Sequence, residues 1–473
     1  MAYYNRRRFL QTTAAGFLGA TGALAGLGQK RAFAANTSGY KALVGVFLKG
    51  GADMFDALLP RDQVSHDQFS QVRPNIINGY ADGSRARENL LALQPGNASS
   101  FGGREFGLVP ELASVQSLFQ SGEAAIVGSV GPLLEHIDRT SFSSGLADLP
   151  SRLFSHNDQQ STWMALATEG AQAGWGGGFI REISRAASPS NPDFSLVTAG
   201  SNDVFLAGAD AFPFKAPFNP ASADLTLLTN SNATSGEHGA DALEFMVKHL
   251  RDQGNHSANL FAKDIARGQA RGIDNMSAYR IAAETQGDLT TVFPNTNLGR
   301  QLATVAKNIQ IRGVIGNNRQ VFYTDVGGFD SHDNQPSAIP GRLSEVFDAI
   351  SAFRNAMVEL GVWDDVALFT MSDFGRTLSD NGDGTDHGWG SHQFVFGGQV
   401  QGGNIYGEMP EMDPASDRFT SSRARLIPSV SVDQYAATLG AWFGLDGSEV
   451  DRVFPNLNRF SSRDLGFMAG STA

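Results

Sequence analysis

Acidic and imidazole side chains gather at three successive stations between Tyr323 and His392. The first is Gly327-Gly328-Phe329-Asp330-Ser331-His332-Asp333, the second Ser372-Asp373-Phe374-Gly375-Arg376-Thr377, and the third Asp386-His387-Gly388-Trp389-Gly390-Ser391-His392. Carboxylates and imidazoles arriving from separate loops form the donor set of a hard or borderline divalent metal such as zinc, manganese, magnesium or calcium. Asp330, His332, Asp386, His387 and His392 are therefore the expected ligands, the last three on one glycine-rich loop. Asp373 reads equally as a ligand or as the N-cap of a following helix. Asp333 reads as a solvated or capping acid, and Arg376 carries the planar fork of donors that holds an anionic oxygen.

Two earlier segments carry further candidates. Lys49-Gly50-Gly51-Ala52-Asp53 is a glycine turn followed by an acid, so Asp53 is either a ligand or the residue that closes the turn with its own side chain. In Leu153-Phe154-Ser155-His156-Asn157-Asp158-Gln159-Gln160, Ser155 is a nucleophile or a helix cap, and His156 a ligand, a general acid or a group supporting a ligand. His66, His136, His238, His249 and His256 lie in no comparable cluster.

Elements that would position these residues follow from the apolar runs. Gln320 to Val326 and Val366 to Met371 read as strands, which puts the first two stations at carboxyl ends of strands, where open α/β sheets place their ligands. Lys41 to Leu48 and Ala124 to Val130 are further strands, with helices expected over Glu111 to Gln120, Arg342 to Leu360 after Pro340, and Asp433 to Phe443. The alternation predicts an α/β fold, a mostly parallel central sheet flanked by helices. A Ser/Asn/Pro/Gly-rich stretch at about 191–291 reads as an inserted cap. There is no repeat at solenoid periods.

At the N-terminus, Asn5-Arg6-Arg7-Arg8-Phe9-Leu10-Gln11 precedes an apolar run from Ala14 to Leu27 and then Arg31-Ala32-Phe33-Ala34. This resembles a twin-arginine signal peptide over residues 1–34, cleaved after Ala34. Its apolar run is shorter than the roughly 20 residues that span a bilayer. The expectation is a periplasmic or secreted protein that meets the twin-arginine export machinery and keeps no stable membrane span. The leader takes five basic residues with it, leaving 31 against 48 acidic ones over residues 35–473, net −17. That balance speaks against nucleic-acid binding. With no cysteine, thiolate ligands, disulfides and cysteine nucleophiles are excluded.

Taken in order, the leader, FLKGGAD, the Leu153 to Gln160 segment, GGFDSHDNQ, SDFGRT, TDHGWGSH and Ser431-Val432-Asp433-Gln434-Tyr435 make the chain resemble the bacterial domain of unknown function 1501 family over nearly its whole length. At greater distance it is similar to the alkaline phosphatase and sulfatase superfamily. That resemblance implies an alkaline-phosphatase-like sheet, with Asp53 as an early acid and Ser155 in the nucleophile region. It further implies metal groups from Asp330, His332, Asp373, Asp386, His387 and His392. Two metals about 3.5 to 4 Å apart clamp a phosphoryl or sulfuryl group. The chain departs from the sulfatase maturation motif: Asp148-Leu149-Pro150-Ser151-Arg152 has Asp where the nucleophile should stand. The leading expectation is an exported metal-dependent hydrolase of phosphate-like or related ester bonds, acting on a small-molecule or polymer ester. The alternative is a non-catalytic envelope protein with a structural metal that binds a surface polymer or a partner protein. The family resemblance adds a second exported protein as a partner.

Overall fold

The computed structural model describes residues 38–186, 191–201, 203–208, 213–219 and 237–471, with the side chains of 237–244 left aside. The expected leader lies outside the described residues. Apart from three short strands that form a small sheet of their own (Leu58–Pro60, Leu91–Ala92 and Phe106–Leu108), the strands in chain order are β1 (Lys41–Leu48), β2 (Ala124–Gly131), β3 (Leu196–Thr198), β4 (Phe214–Lys215), β5 (Arg319–Val326), β6 (Val366–Ser372), β7 (Arg376–Asp380), β8 (Thr385–His387), β9 (Ser391–Gly397), β10 (Ile405–Gly407) and β11 (Val430–Ser431). The principal helices are α1 (Ala113–Gln120), α2 (His156–Ala165), α3 (Trp175–Ala186), α4 (Glu237–His256), α5 (Leu260–Glu284), α6 (Asn297–Gln310), α7 (Gln335–Glu359), α8 (Val432–Phe443) and α9 (Gly447–Val453).

One sheet organises the described residues, in the order β10-β2-β9-β6-β1-β5-β3-β4, with β11 also on β2. β9 runs antiparallel to β2 and β6, and the other pairs are parallel. The fold is α/β, with a mostly parallel sheet covered by helices on both faces. The sequence of β1 shows why. Ala42, Val44, Val46 and Leu48 join a core with α1, α6 and α7, while Leu43 and Phe47 face a second core built from α2, α3, α8 and α9. A strand apolar at both parities has no face to offer water and belongs in the middle of such a sheet. Each fully buried Val, Leu or Phe contributes about 1.5 to 3 kcal/mol.

Three expectations change. The region at about 191–291 does not begin as an insertion, because β3 pairs in parallel with β5 inside the sheet; its helical part is the α4–α5 hairpin. Helix α7 begins at Gln335, ahead of the expected Arg342, with Pro336 in its first turn and Pro340 inside. A proline in the first turn gives up an N–H that has no helical partner anyway, whereas Pro340 removes one interior bond. Finally, the third station is not a loop: His387 ends the β7–β8 hairpin and His392 is the second residue of β9. No helix among the described residues is long and apolar enough to cross a membrane.

Candidate metal centre

The turn after β1 sets the floor of the site. Gly50 (φ +114°) and Gly51 (φ +79°) take backbone angles that L side chains rarely adopt, and the space confirms the need. A Cβ on Gly50 would lie 2.4 Å from the Asp330 nitrogen, and one on Gly51 2.4 Å from the Phe374 ring. The loops after β5 and β6 can therefore close over this turn. The Gly50 N–H donates to Asp373 Oδ1 (3.2 Å), and its carbonyl accepts from Arg376 Nη1 (3.3 Å).

From the loop after β5, the end of β8 and the start of α2, three histidines and one carboxylate approach one another. His156 opens α2 and donates Nδ1–H to Asp373 Oδ2 at 2.6 Å, a carboxylate also held by Gln160 Nε2 at 2.9 Å. His387 donates Nδ1–H to the carbonyl of Phe154 at 2.9 Å. Phe154 sits at φ 72°, and its ring packs 3.8 Å from the Arg425 guanidinium, whose Nε donates to the His387 carbonyl at 2.8 Å. His332 turns its Nδ1 to Asp386 Oδ1 at 3.4 Å.

With the Nδ1 atoms so engaged, the Nε2 atoms point inward. His156 Nε2 lies 3.6 Å from Asp330 Oδ2; His387 Nε2 and His332 Nε2 lie 3.6 Å and 3.2 Å from Asp330 Oδ1. His332 Nε2 and His387 Nε2 are 2.9 Å apart. Donor atoms of His156, Asp330 and His387 all fall within 4.8 Å of one another, the arrangement of a group that could hold a metal ion. Tetrahedral coordination at the usual bond lengths puts neighbouring donors roughly 3.3 Å apart, inside the range found here. His156 Nε2 is buried and has no hydrogen-bond partner. An imidazole whose far nitrogen is pinned by a carboxylate, and whose near nitrogen is left unpaired beside another carboxylate, has the arrangement that could serve a metal ion.

Charge states agree with that role. Burial works to raise the Asp330 carboxyl, but the Arg376 hydrogen bond and charge outweigh it and hold the group below the usual range. Burial lowers His387 and, with the charges of His156 and Arg376, outweighs the opposing hydrogen bond to the Phe154 carbonyl. The Asp373 hydrogen bond raises His156 against the cost of burial, with the charges of Asp373 and Asp330 adding to the rise.

A family model described as "Protein of unknown function (DUF1501)" matches residues 40–454. The chain belongs to the DUF1501 family. Among curated proteins none matches it. Solved structures that overlap with it include Ps i-CgsB in complex with k-i-k-neocarrahexaose (TM-score 0.36, 9% identity, 90% of this chain and 77% of that one). Two others are the lipoteichoic acid synthase LtaP from Listeria monocytogenes (0.30, 9%, 82% and 74%) and the PsFucS1 sulfatase from Pseudoalteromonas sp. (0.30, 9%, 91% and 70%). The fold class of this DUF1501 protein rests on its own sheet.

Several expected site residues of the DUF1501 chain stand elsewhere. Asp53, expected as a ligand, is buried in an ion pair with Arg73 (2.6 Å) and accepts from Gln335 Nε2 (2.8 Å), so its oxygens are spent. His392, also expected as a ligand, is buried in β9. Its Nδ1 accepts from the Ser129 N–H (3.2 Å) and its ring packs edge-on against Phe55, because the strand register turns it into the core. Asp373 and Asp386 stand behind His156 and His332 and orient them; Asp386 is further tied to Arg423 (2.7 Å). Arg376 is wholly buried and spends its donors on Gly50, Asp330 and Thr385, which positions Asp330 and leaves no open fork for a substrate anion. Ser155 stands at the N-cap position of α2 but makes no side-chain capping bond, donating its hydroxyl instead to Asp158 Oδ2 (2.8 Å). Reading the sequence missed Gln160, although its i+4 spacing from His156 places both on one helix face. The Phe154 carbonyl was also missed, since a backbone acceptor leaves no trace in residue type.

Proposed function

We propose that His156, Asp330 and His387 hold one divalent cation, zinc being the metal this two-imidazole, one-carboxylate set suits best, and that the protein hydrolyses phosphate-like or related ester bonds. The observation that carries this reading is the buried His156 Nε2, unpartnered while its Nδ1 is fixed by Asp373. Three protein donors leave a coordination position for water or substrate, as in catalytic rather than structural sites. Access supports the same choice over a closed structural metal: the Asp330 and His332 side chains are 48% and 45% exposed. Once bound, such a cation acidifies water and polarises an ester oxygen. His332, with Asp386 behind it and its Nε2 beside Asp330 and His387, carries the proton. Since the Ser155 hydroxyl is engaged by Asp158, water is the better supported nucleophile. Arg152, Arg423 and Arg425 stand next to Asp158, Asp386 and His387 and give an otherwise acidic chain a cationic rim that favours an anionic ester. Export through the leader, to the periplasm or beyond, completes the proposal.

Purified protein is to be assayed for bound metal and for hydrolysis of generic phosphomonoesters and diesters. His387→Ala should lose metal and activity together, Asp373→Asn should weaken metal binding about 10- to 100-fold, and His332→Ala should keep the metal while its rate falls about 100-fold or more. Protein that takes up no metal, or variants indistinguishable from the parent in both measurements, would remove the proposal.

A further inference from the structure

Beyond the cluster, the far end of α2 opens on a second cavity that has its own chemistry. It holds about 290 Å³ and is lined by Pro132, Leu133, Leu166, Thr162, Val432 and Asp433, among others. Asp433 is the one ionisable residue in that lining. The residue is 3% exposed, and its Oδ1 is buried with no hydrogen-bond partner. The position is firmly set. Ser431 and Gln434 close a reciprocal capping box at the start of α8, with both bonds at 3.0 Å, which locks Asp433 into the first turn. With Oδ1 unpaired and only the residue's own backbone N–H offsetting burial, the charged form is costly, and the carboxyl is lifted to about 7. Nothing in the lining supplies the missing cation.

We infer that this cavity is a binding site for a small organic ammonium, whose apolar body fills the space between Leu133, Leu166 and Val432 while its N–H groups meet the Asp433 carboxylate. Only a ligand that carries both parts answers both features. A neutral molecule of the same shape would leave the carboxylate uncompensated, and a bare inorganic cation would leave the apolar wall unfilled. The site is separate from the metal cluster: its nearest lining residue on α2, Thr162, stands six residues or about 9 Å along the helix from His156. It does not depend on the hydrolase reading.

The test is calorimetric titration of the full chain with n-butylammonium chloride and, in parallel, with 1-butanol at matched ionic strength and pH 8. Saturable binding of the ammonium is expected, with the alcohol at least tenfold weaker. Asp433→Asn removes a charge and no hydrogen bond to Oδ1, and it should reduce ammonium affinity at least tenfold while metal uptake at His156, Asp330 and His387 is unchanged. A second variant, Ala167→Phe, at another residue of the cavity wall, fills the cavity and leaves the carboxyl in place; it should abolish binding as well. Equal binding of ammonium and alcohol, or a parent-like isotherm in either variant, overturns the inference.

Discussion

Each histidine of the cluster is defined by what its Nδ1 touches, whereas two buried groups outside it, His392 and Asp433, each keep one atom without a hydrogen-bond partner, Nε2 and Oδ1. Burial holds His392 down to about 4. Its folded pKa lies below the value of about 6.5 in the unfolded chain, so the unfolded state binds more protons between these limits and stability is lost as pH falls through them. Asp433 has the opposite sign: raised by burial to about 7, it binds its proton more tightly in the folded state, and stability is lost as pH rises from about 4 toward 7. The two slopes oppose each other over the shared range. His392→Asn, whose amide oxygen can still accept from Ser129, should therefore make the protein less stable at pH 6.5 than at pH 4.5. Asp433→Asn should do the reverse, by about 2 to 3 kcal/mol in each case. Denaturant unfolding at the two pH values checks this, and variants with the parent's pH dependence would show that burial is not the cause.

Among elements, the turn after β1 matters most because two neighbouring loops rest on it. Gly50→Ala would drive a Cβ to 2.4 Å from the Asp330 nitrogen in a backbone conformation only glycine tolerates. It should cost about 1 to 3 kcal/mol of stability and weaken metal binding at least tenfold, both read by metal-dependent thermal unfolding. Unchanged metal affinity would mean that the turn does not position Asp330. This part of the site was legible in the sequence: the doubly apolar run of β1 and the acid/His stations after β5 and β6 are local patterns with a local cause. The third station was not. Asp386, His387 and His392 lie close in sequence, but a hairpin end and a buried strand separate them, and the pairing of β9 with β2 and β6, which turns His392 inward, is a long-range choice. His156 was placed in its motif with its role open, because nothing local indicates that Asp373, 217 residues away, will accept its proton. Asp53 was open for a similar reason: the Arg73 that neutralises it sits in a separate segment with no visible link to the turn.

At the scale of the whole molecule, the cluster stands on a buried polar layer that joins it to the core. Arg73 bridges Asp53 to the carbonyls of Thr377 and Leu378, Gln335 bridges Asp53 to Asp56 and Ser331, and Arg85 binds Asp56 and Glu111. Asp53→Ala leaves the Arg73 charge buried without its partner and should cost about 3 to 5 kcal/mol. Metal stoichiometry at low temperature should stay at the parent level, since Asp53 supplies no ligand atom. Metal lost while stability is retained would return Asp53 to the ligand set. The proposed cation site is tested most directly by anomalous diffraction from crystals grown with zinc. The expected result is one peak within bonding distance of His156 Nε2, His387 Nε2 and an Asp330 oxygen. A peak at Asp53 or His392, or none at the cluster in zinc-saturated crystals, would contradict it.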